Sequence, residues 1–164
     1  EGIMNILGEV IEKQTLALLE QGIKVLHLGR LDRLSSELRS AIVKAQELTR
    51  HNNVLTLGVA FDYGGRDEII EAVRQILRDG LLPDSVDEAC FSRYLYTASF
   101  PDPDIIIRTG GELRLSNFFL WQSAYSEYYP TPTLWPDFDS IEVAKALESY
   151  SNRRRRFGTI LAGE

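Results

Sequence analysis

The residues best suited to chemistry follow a short apolar run at residues 105–107, about two thirds of the way along the chain. Arg108 comes directly after this run, two glycines follow, and Arg114 and Ser116 come next. A guanidinium group is permanently charged and donates paired hydrogen bonds, and a hydroxyl adds one more donor. Glycines let the backbone come close to a ligand. This spacing predicts a phosphate-binding site where a buried strand ends.

Each of these residues also has an ordinary structural explanation. The glycines are typical of a turn, and Arg108 and Arg114 are equally consistent with surface charges or with partners of nearby carboxylates. Ser116 is a good N-cap for a helix that starts at Asn117, and such a helix would add free N–H groups to an anion site. Glu127 offers the hard oxygen that Mg²⁺ prefers, although a single glutamate is seldom a metal ligand.

The elements that must position these residues alternate between strands and helices. Apolar runs predict strands at residues 24–28, 54–61, 105–107 and 127–129. Helical spacing predicts helices near residues 3–21, 36–50, 66–80 and 85–95, another from 117, and a last one at 140–155. Such alternation builds right-handed βαβ units around a parallel sheet. We therefore predict an α/β fold, with a parallel sheet of about four strands flanked by helices, in a single domain of residues 1–164.

Apolar spacing also predicts which helix faces are buried. In the helix at 66–80 the expected buried residues are Ile69, Ile70, Val73, Ile76 and Leu77. In the last helix they are Ile141, Ala144, Leu147 and Tyr150. Ser85 and Glu88 have the spacing of a capping box for the helix that follows, through about Leu95. Cys90 follows in that helix, and we expect a buried, unreactive thiol.

Composition excludes several classes of protein. The chain has 164 residues with ordinary charged and apolar fractions, 26% and 44%, so it can bury a proper core. A net charge of −6 argues against a nucleic-acid binder. A single cysteine excludes an internal disulfide framework and suits a reducing compartment, so we predict a cytoplasmic protein. No stretch has the length of a membrane span, and the start does not have the pattern of a signal peptide.

The run DIIIRTGGELRLSNFFLWQSAYSEYYPTPTLWPDF resembles the C-terminal signature of the cis-prenyltransferases, the undecaprenyl diphosphate synthase family. That signature contains Arg-Thr-Gly-Gly-Glu, Ser-Asn-Phe, Trp-Gln, Ala-Tyr-x-Glu and Leu-Trp-Pro-Asp-Phe, and this chain has all of them in the same order. The resemblance continues upstream at residues 62–66 (DYGGR) and downstream at residues 152–158. It therefore extends over essentially the whole chain.

The resemblance implies a reaction and a set of roles. Members of this family extend an allylic diphosphate, such as farnesyl diphosphate, with isopentenyl diphosphate units to make long-chain polyprenyl diphosphates. By resemblance, the residues that bind isopentenyl diphosphate are Arg108, Arg114, Leu115 and Ser116. Glu127 would help to hold Mg²⁺, and the growing tail would lie in a tunnel between the first helix and the sheet. The lipid product would give the protein peripheral contact with a membrane.

The resemblance also implies a homodimer. In the family, C-terminal arginines reach across the dimer to the partner's isopentenyl diphosphate site, which assigns that role to Arg155 and Arg156. The same residues belong to a run of four arginines that would also be favourable as solvated charges at a helix end.

This chain departs from the family pattern in several places. The family's Asp-Gly-Asn-x-Arg-Trp loop, which carries the catalytic aspartate, and its Ser-x-Glu-Asn-Trp segment have no counterpart, so no catalytic residue is assigned. Leu113 replaces a histidine or basic residue, which weakens the local contact with metal or phosphate. Asp62 stands where the family usually has asparagine.

Two interpretations follow from these departures. The first is a cis-prenyltransferase represented by its C-terminal part, and the second is a noncatalytic diphosphate-binding partner subunit of a cis-prenyltransferase complex. In either case we expect little or no turnover from this chain alone. An unrelated phosphohydrolase or nucleotide binder would carry a P-loop, a nucleophile elbow or a His/Asp metal cluster, and the sequence contains none of these.

Overall fold

The computed structural model describes residues 2–153, with side chains from residue 10, and divides into two compact units, residues 1–99 and 100–164. The first unit contains α1 (Gly2–Glu20), β1 (Ile23–Leu28), α2 (Ser36–Thr49), β2 (Leu55–Ala60), α3 (Gly65–Arg78) and α4 (Glu88–Ser92). The second contains β3 (Ile105–Arg108), β4 (Glu127–Pro130) and α5 (Ser140–Ser151). The predicted α/β class, with parallel strands flanked by helices, is confirmed. That the chain forms one domain stays a prediction.

In the first unit, β1 and β2 form a parallel pair, and α1 and α2 pack against each other and against β1. The buried hydroxyl of Thr49, at the end of α2, accepts a hydrogen bond from the Val25 N–H at 3.0 Å and donates to the Ala45 carbonyl at 2.8 Å. A buried hydroxyl that is satisfied on both sides contributes to stability instead of lowering it. Thr49 therefore fixes the end of α2 against β1.

A buried carboxylate holds the start of α3. Glu68 is 1% exposed, and it accepts hydrogen bonds from the Tyr63 hydroxyl at 2.6 Å and from the Tyr96 N–H at 2.9 Å. Tyr63 lies in the loop that joins β2 to α3, and Tyr96 lies beyond α4. One side chain thus joins three segments of the first unit.

Replacing Glu68 with Gln is expected to lower the free energy of unfolding by about 1.5 kcal/mol, because one of its two acceptor oxygens becomes an NH₂ group and one of the two hydrogen bonds is lost. Urea denaturation followed by circular dichroism measures the change. The matched control is Glu20→Gln, at the exposed end of α1, for which we expect a change within about 0.5 kcal/mol. Equal effects of the two substitutions would show that the Glu68 hydrogen bonds add no net stability.

In the second unit, β3 and β4 form a parallel pair in which Ile105 lies opposite Glu127. Helix α5 packs on β4. The helix begins after Asp139, whose carboxylate accepts hydrogen bonds from the N–H groups of Ile141 (2.9 Å) and Glu142 (3.1 Å). An aspartate at this position satisfies two of the N–H groups that every helix start leaves unpaired.

The four predicted strands are present, but within residues 2–153 they pair two by two and do not join in one sheet of four. Strand β2 is exposed along its whole length, although its sequence is apolar.

In α3 the prediction of burial is correct for Ile76 and wrong for Ile70, Val73 and Leu77, which are exposed. In α5 it is wrong for Ile141, Ala144 and Leu147. The cause is that an apolar face identifies a surface suited to burial and not the element that covers it.

The start of α4 also differs from the prediction. Ser85 ends a short 3₁₀ turn, and the N-cap of α4 is Asp87, whose carboxylate accepts the Cys90 N–H at 2.7 Å. An Asp side chain directly before a helix is as good a cap as serine, so it replaces the expected capping box. Cys90 is buried and unbridged, as predicted. Across the part of the chain that the structure describes, no helix combines the length and the apolar character needed to cross a bilayer.

Candidate functional site

The backbone turns sharply after β3. Strand β3 ends at Arg108, and the next two glycines, Gly110 and Gly111, have positive φ angles of 84° and 74°. Glycine adopts these angles at no steric cost. The Gly110 N–H donates to the Thr133 carbonyl at 2.9 Å, and the Gly111 N–H donates to the Thr131 carbonyl at 2.8 Å. The turn is therefore held by the segment that follows β4.

This turn brings one carboxylate between two arginines. Glu112 accepts hydrogen bonds from Arg108 Nη2 at 2.8 Å and from Arg114 Nε and Nη2 at 2.9 and 2.6 Å. The hydrogen bond from Arg108, with further contributions from the charge and hydrogen bonds of Arg114, lowers the pKa of the Glu112 carboxyl below its usual range. The cluster thus keeps two positive charges and one negative charge, a net excess of one positive charge at neutral pH.

A hollow of about 440 Å³ opens beside this cluster. Its lining consists of Ile106, Ile107, Arg108, Thr109, Glu112, Leu113, Arg114, Leu115, Phe118, Tyr128 and Pro130. Arg108 Nε is buried and has no hydrogen-bond acceptor within the described residues. A buried donor without an acceptor costs free energy, and at a binding site it marks the place of a ligand oxygen. The hollow combines this free donor with a positive charge and an apolar wall, which suits an anionic head group that carries a short hydrocarbon.

The structure brings three of the predicted site residues together and leaves the fourth apart. Arg108, Arg114 and Leu115 all line the hollow. Ser116 is exposed and is not among the lining residues. Its assignment as the N-cap of a helix from Asn117 is wrong, because no helix forms there.

The reason is the backbone conformation of this segment. Ser116, Asn117 and Phe119 all have positive φ angles (49°, 66° and 47°), and the chain runs through consecutive turns up to residue 125. A right-handed helix cannot include left-handed residues. The rings of Phe118 and Phe119 instead stack with their centroids 4.1 Å apart.

Glu127, the predicted Mg²⁺ ligand, begins β4 and pairs with an arginine. Its Oε2 accepts a hydrogen bond from Arg153 Nη1 at 2.7 Å, and both side chains are partly buried. Within residues 2–153 no group of three or more His, Cys, Asp or Glu side chains could hold a metal ion. A single carboxylate fits Mg²⁺ only where water and phosphate oxygens supply the other ligands, a common arrangement for this ion. Arg155 and Arg156 lie outside the described residues.

The other strand end with glycines, at residues 62–66, has its nearby charges paired. Asp62 has a positive φ of 51°, and its two oxygens accept hydrogen bonds from Arg33 at 2.7 and 2.9 Å. Arg30 binds Asp32 with two hydrogen bonds and lies 3.6 Å from Asp67. The hydrogen bond from Arg30 lowers the pKa of Asp32 to about 2. Arg30 and Arg33 each have a carboxylate partner of their own, whereas Arg108 and Arg114 share the single carboxylate of Glu112, so the end of β3 is the better candidate for an anion site.

The first unit contains a separate apolar cavity of about 240 Å³. Its walls come from α1, α2, β1 and β2: Val10, Ile11, Val25, Leu26, His27, Leu38, Ile42, Ala45, Gln46, Val59 and Phe61. Of these, His27 and Gln46 carry polar side chains, and both are engaged. Gln46 Oε1 accepts the His27 N–H at 2.8 Å, and His27 Nε2 donates to the Phe61 carbonyl at 2.9 Å. Burial lowers the pKa of His27, so the imidazole is neutral at pH 7 and the cavity suits a hydrocarbon.

Sequence reasoning missed Glu112 as the residue that organises the arginines. A signal was available, because Glu112 lies four residues after Arg108 and two before Arg114. A tight glycine turn makes both separations short in space. The contribution of Thr131 and Thr133 to the turn had no such signal, since they lie about twenty residues away along the chain.

Comparison with known proteins points to one family. A family model described as "Putative undecaprenyl diphosphate synthase" matches residues 1–158. The chain is 45% identical to an isoprenyl transferase of Fusobacterium nucleatum (96% of this chain, 67% of that protein). It is 46% identical to an isoprenyl transferase of Heliobacterium mobile (96% and 62%). The chain thus spans about two thirds of the length of these relatives.

Solved structures agree with the sequence comparisons. Lavandulyl diphosphate synthase from Lavandula x intermedia, crystallised with dimethylallyl diphosphate, has a TM-score of 0.89 and 40% identity over 95% of this chain and 70% of its own. A probable undecaprenyl diphosphate synthase from Campylobacter jejuni has a TM-score of 0.86 and 30% identity over 96% of this chain and 73% of its own. The chain belongs to the undecaprenyl diphosphate synthase family of cis-prenyltransferases.

Proposed function

We propose that this chain is the isopentenyl diphosphate-binding part of a cis-prenyltransferase. The enzyme would condense isopentenyl diphosphate onto an allylic diphosphate, such as farnesyl diphosphate, to make a long-chain polyprenyl diphosphate. The observation that carries the proposal is the buried, unpaired Arg108 Nε in a hollow that also contains Arg114. Arginine is the side chain best suited to bind phosphate oxygens with paired hydrogen bonds.

Different residues of the hollow would contact the diphosphate and the five-carbon group of the substrate. Arg108 and Arg114 donate hydrogen bonds to the diphosphate, and Glu112 keeps the two guanidinium groups in place. Leu115 and Phe118 form the part of the wall suited to the five-carbon group. Ser116 stays a proposed diphosphate ligand, and from its exposed position it would have to approach the diphosphate from the rim.

Mg²⁺ is part of the proposal. When bound, it would neutralise the charge that develops on the leaving diphosphate. Glu127 is the residue that would hold it, and Arg153, its present partner, would have to share or release the carboxylate. Both charged side chains are partly exposed, so an exchange of partners is sterically open.

The apolar cavity of the first unit is the proposed place of the allylic tail. In support of this proposal, part of the cavity wall comes from α1, β1 and β2, the elements expected to enclose the tunnel, and the rest comes largely from α2. The relative from Lavandula x intermedia was crystallised with dimethylallyl diphosphate, which supports an allylic diphosphate as the class of second substrate. Burial of hydrocarbon in such a cavity is favourable by about 0.8 kcal/mol for each CH₂ group.

The direct test is titration of the chain with isopentenyl diphosphate in a calorimeter. We expect one site with a Kd of about 1 mM or tighter, in the range of usual enzyme substrates. Inorganic diphosphate should compete with isopentenyl diphosphate, because the arginines bind the head group. Isopentenol, which has no diphosphate, should not bind when it is added at the same concentration as isopentenyl diphosphate. Failure of isopentenyl diphosphate to bind would contradict the proposed function.

The alternative, a noncatalytic diphosphate-binding partner subunit, is less well supported because the relatives are named as transferases. Activity that returns only when the chain is mixed with a longer relative would favour it. Four further expectations stay proposals: little turnover by this chain alone, a homodimer in which Arg155 and Arg156 reach the partner's site, a cytoplasmic location, and peripheral membrane contact through the lipid product. Exposed apolar side chains on α5, such as Ile141 and Leu147, support self-association.

A further inference from the structure

A carboxylate that does not line the hollow is hydrogen-bonded to the two threonines that hold the glycine turn. Glu142 is in the first turn of α5, and its side chain is 16% exposed. Its Oε2 lies 3.3 Å from the Thr131 hydroxyl and 3.1 Å from the Thr133 hydroxyl, while its Oε1 accepts a hydrogen bond from Lys145 at 2.5 Å. The hydrogen bond from Lys145, followed by those from the threonine hydroxyls, lowers the pKa of the Glu142 carboxyl. The group is therefore ionised at neutral pH.

Through hydrogen bonds, the two threonines connect Glu142 to the glycine turn. The carbonyls of Thr133 and Thr131 accept the N–H groups of Gly110 and Gly111, and the Thr131 N–H donates to the Arg108 carbonyl at 2.8 Å. Thr131 is almost fully buried, so its position is set by these bonds and not by solvent. A continuous series of hydrogen bonds thus runs from α5 through the threonines to both sides of the turn.

The turn decides where the arginines lie. Its positive φ angles reverse the chain, so that Glu112 returns to Arg108 and holds Arg114 as well. A rotation of the turn would move Glu112 away from Arg108 and separate the two guanidinium groups. We propose that Glu142 is a positioning residue that fixes the diphosphate-binding arrangement of Arg108 and Arg114 through Thr131 and Thr133, without touching the ligand. This inference rests on the proposed function of the hollow.

Two pairs of variants test it. Glu142→Ala removes the acceptor, whereas Glu142→Gln keeps one oxygen for the threonines. Thr133→Val removes a hydroxyl at constant shape, whereas Thr133→Ser restores it. The matched control is Glu148→Gln, an exposed carboxylate on the same helix. The measurements are the Kd of isopentenyl diphosphate by calorimetry, and hydrogen exchange of the Gly110 and Gly111 amides by NMR without ligand.

We expect Glu142→Ala and Thr133→Val each to raise the Kd by about tenfold and to speed exchange of both glycine amides. Glu142→Gln and Thr133→Ser should stay within about threefold of the wild type, and Glu148→Gln should change neither measurement. Rescue by the conservative variants separates positioning from a general loss of stability, and Thr133→Val gives an answer even where Glu142→Ala does not fold.

Three results would overturn the inference. The first is faster amide exchange with an unchanged Kd, which would leave Glu142 a purely structural role. The second is an unchanged Kd together with unchanged exchange. In both cases the wild type still binds isopentenyl diphosphate, so the proposed function stands. In the third, the wild type binds no diphosphate, and the proposed function and the inference fail together.

Discussion

Replacing Arg108 with Gln is expected to weaken the binding of isopentenyl diphosphate by about 100-fold, because charge-assisted hydrogen bonds to the diphosphate are lost. Arg108 is the cluster residue whose Nε is buried and has no acceptor within the described residues. Glutamine is neutral and has one NH₂ group, so it supplies neither the charge nor the paired geometry. Calorimetric titration of the variant measures the change in Kd, and circular dichroism checks that the variant is folded.

Arg114 provides an internal comparison for this prediction. Its side chain is 69% exposed, against 38% for Arg108, so water screens its charge more strongly. Arg114→Gln should therefore weaken the binding of isopentenyl diphosphate less, with a Kd raised by about tenfold. The matched control is Arg93→Gln, an exposed arginine in the first unit that should leave the Kd unchanged. A Kd for Arg108→Gln equal to that of the control would mean that the diphosphate binds somewhere else.

The position of this site could be predicted from local sequence, for a physical reason. An isoleucine run can only be a strand or a buried helix turn, and the glycines directly after it end either element. Charged residues after a strand end must then lie at its rim, and a tight turn keeps residues four to six apart in sequence close in space. Arg108 and Arg114 therefore had to be near each other. The prediction left out the carboxylate between them, Glu112, although its short separation from both arginines was a signal for it.

The segment after the site shows the limit of this reasoning. Ser116 followed by Asn117 and apolar residues is a good pattern for a helix start. Asparagine is also among the residues that most readily adopt a left-handed backbone, so the same sequence is also typical of a turn. The segment takes the left-handed conformation, and the stacked rings of Phe118 and Phe119 accompany the turn. Tertiary contacts of this kind leave no periodic signal in the sequence.

Burial was predicted less well than element type. The apolar residues of α3 recur at helical spacing and the helix forms where expected, yet Val73 and Leu77 remain exposed. Periodicity follows from the geometry of a single helix, whereas burial needs a second surface to cover it. Glu142 was missed for a related reason. It lies about thirty residues from Gly110 along the chain, and their connection through Thr133 exists only in the folded state.

Filling the apolar cavity should weaken the binding of a hydrocarbon ligand by as large a factor as Arg108→Gln weakens the binding of isopentenyl diphosphate. Val59 lies on β2, lines the cavity and is 45% exposed, so a larger side chain can enter from the open side. Phenylalanine is favourable in strands, which keeps the cost in stability small. We expect Val59→Phe to weaken the binding of farnesol, which has the tail without the diphosphate, by about 100-fold. That factor corresponds to excluding about four CH₂ groups from the cavity, or ~3 kcal/mol. Fluorescence titration measures it.

The control for this variant is on the same strand. Side chains alternate across a strand, so Thr56 points to the face opposite that of Val59, and it is also exposed. Thr56→Phe adds a similar ring and should leave the binding of farnesol unchanged. Equal weakening by both variants would show that the effect comes from the strand and not from the cavity.

The two large predictions also test each other, because the two sites are built from different residues. If the hollow binds the diphosphate and the cavity binds the tail, Arg108→Gln should leave farnesol binding intact, and Val59→Phe should leave isopentenyl diphosphate binding intact. Each variant is then a folded control for the other. Loss of both ligands together with loss of the circular dichroism signal would indicate general unfolding. Loss of both ligands by an Arg108→Gln variant that is still folded would mean that the hydrocarbon occupies the hollow beside β3. The crossed titrations therefore assign head group and tail to their sites independently of turnover.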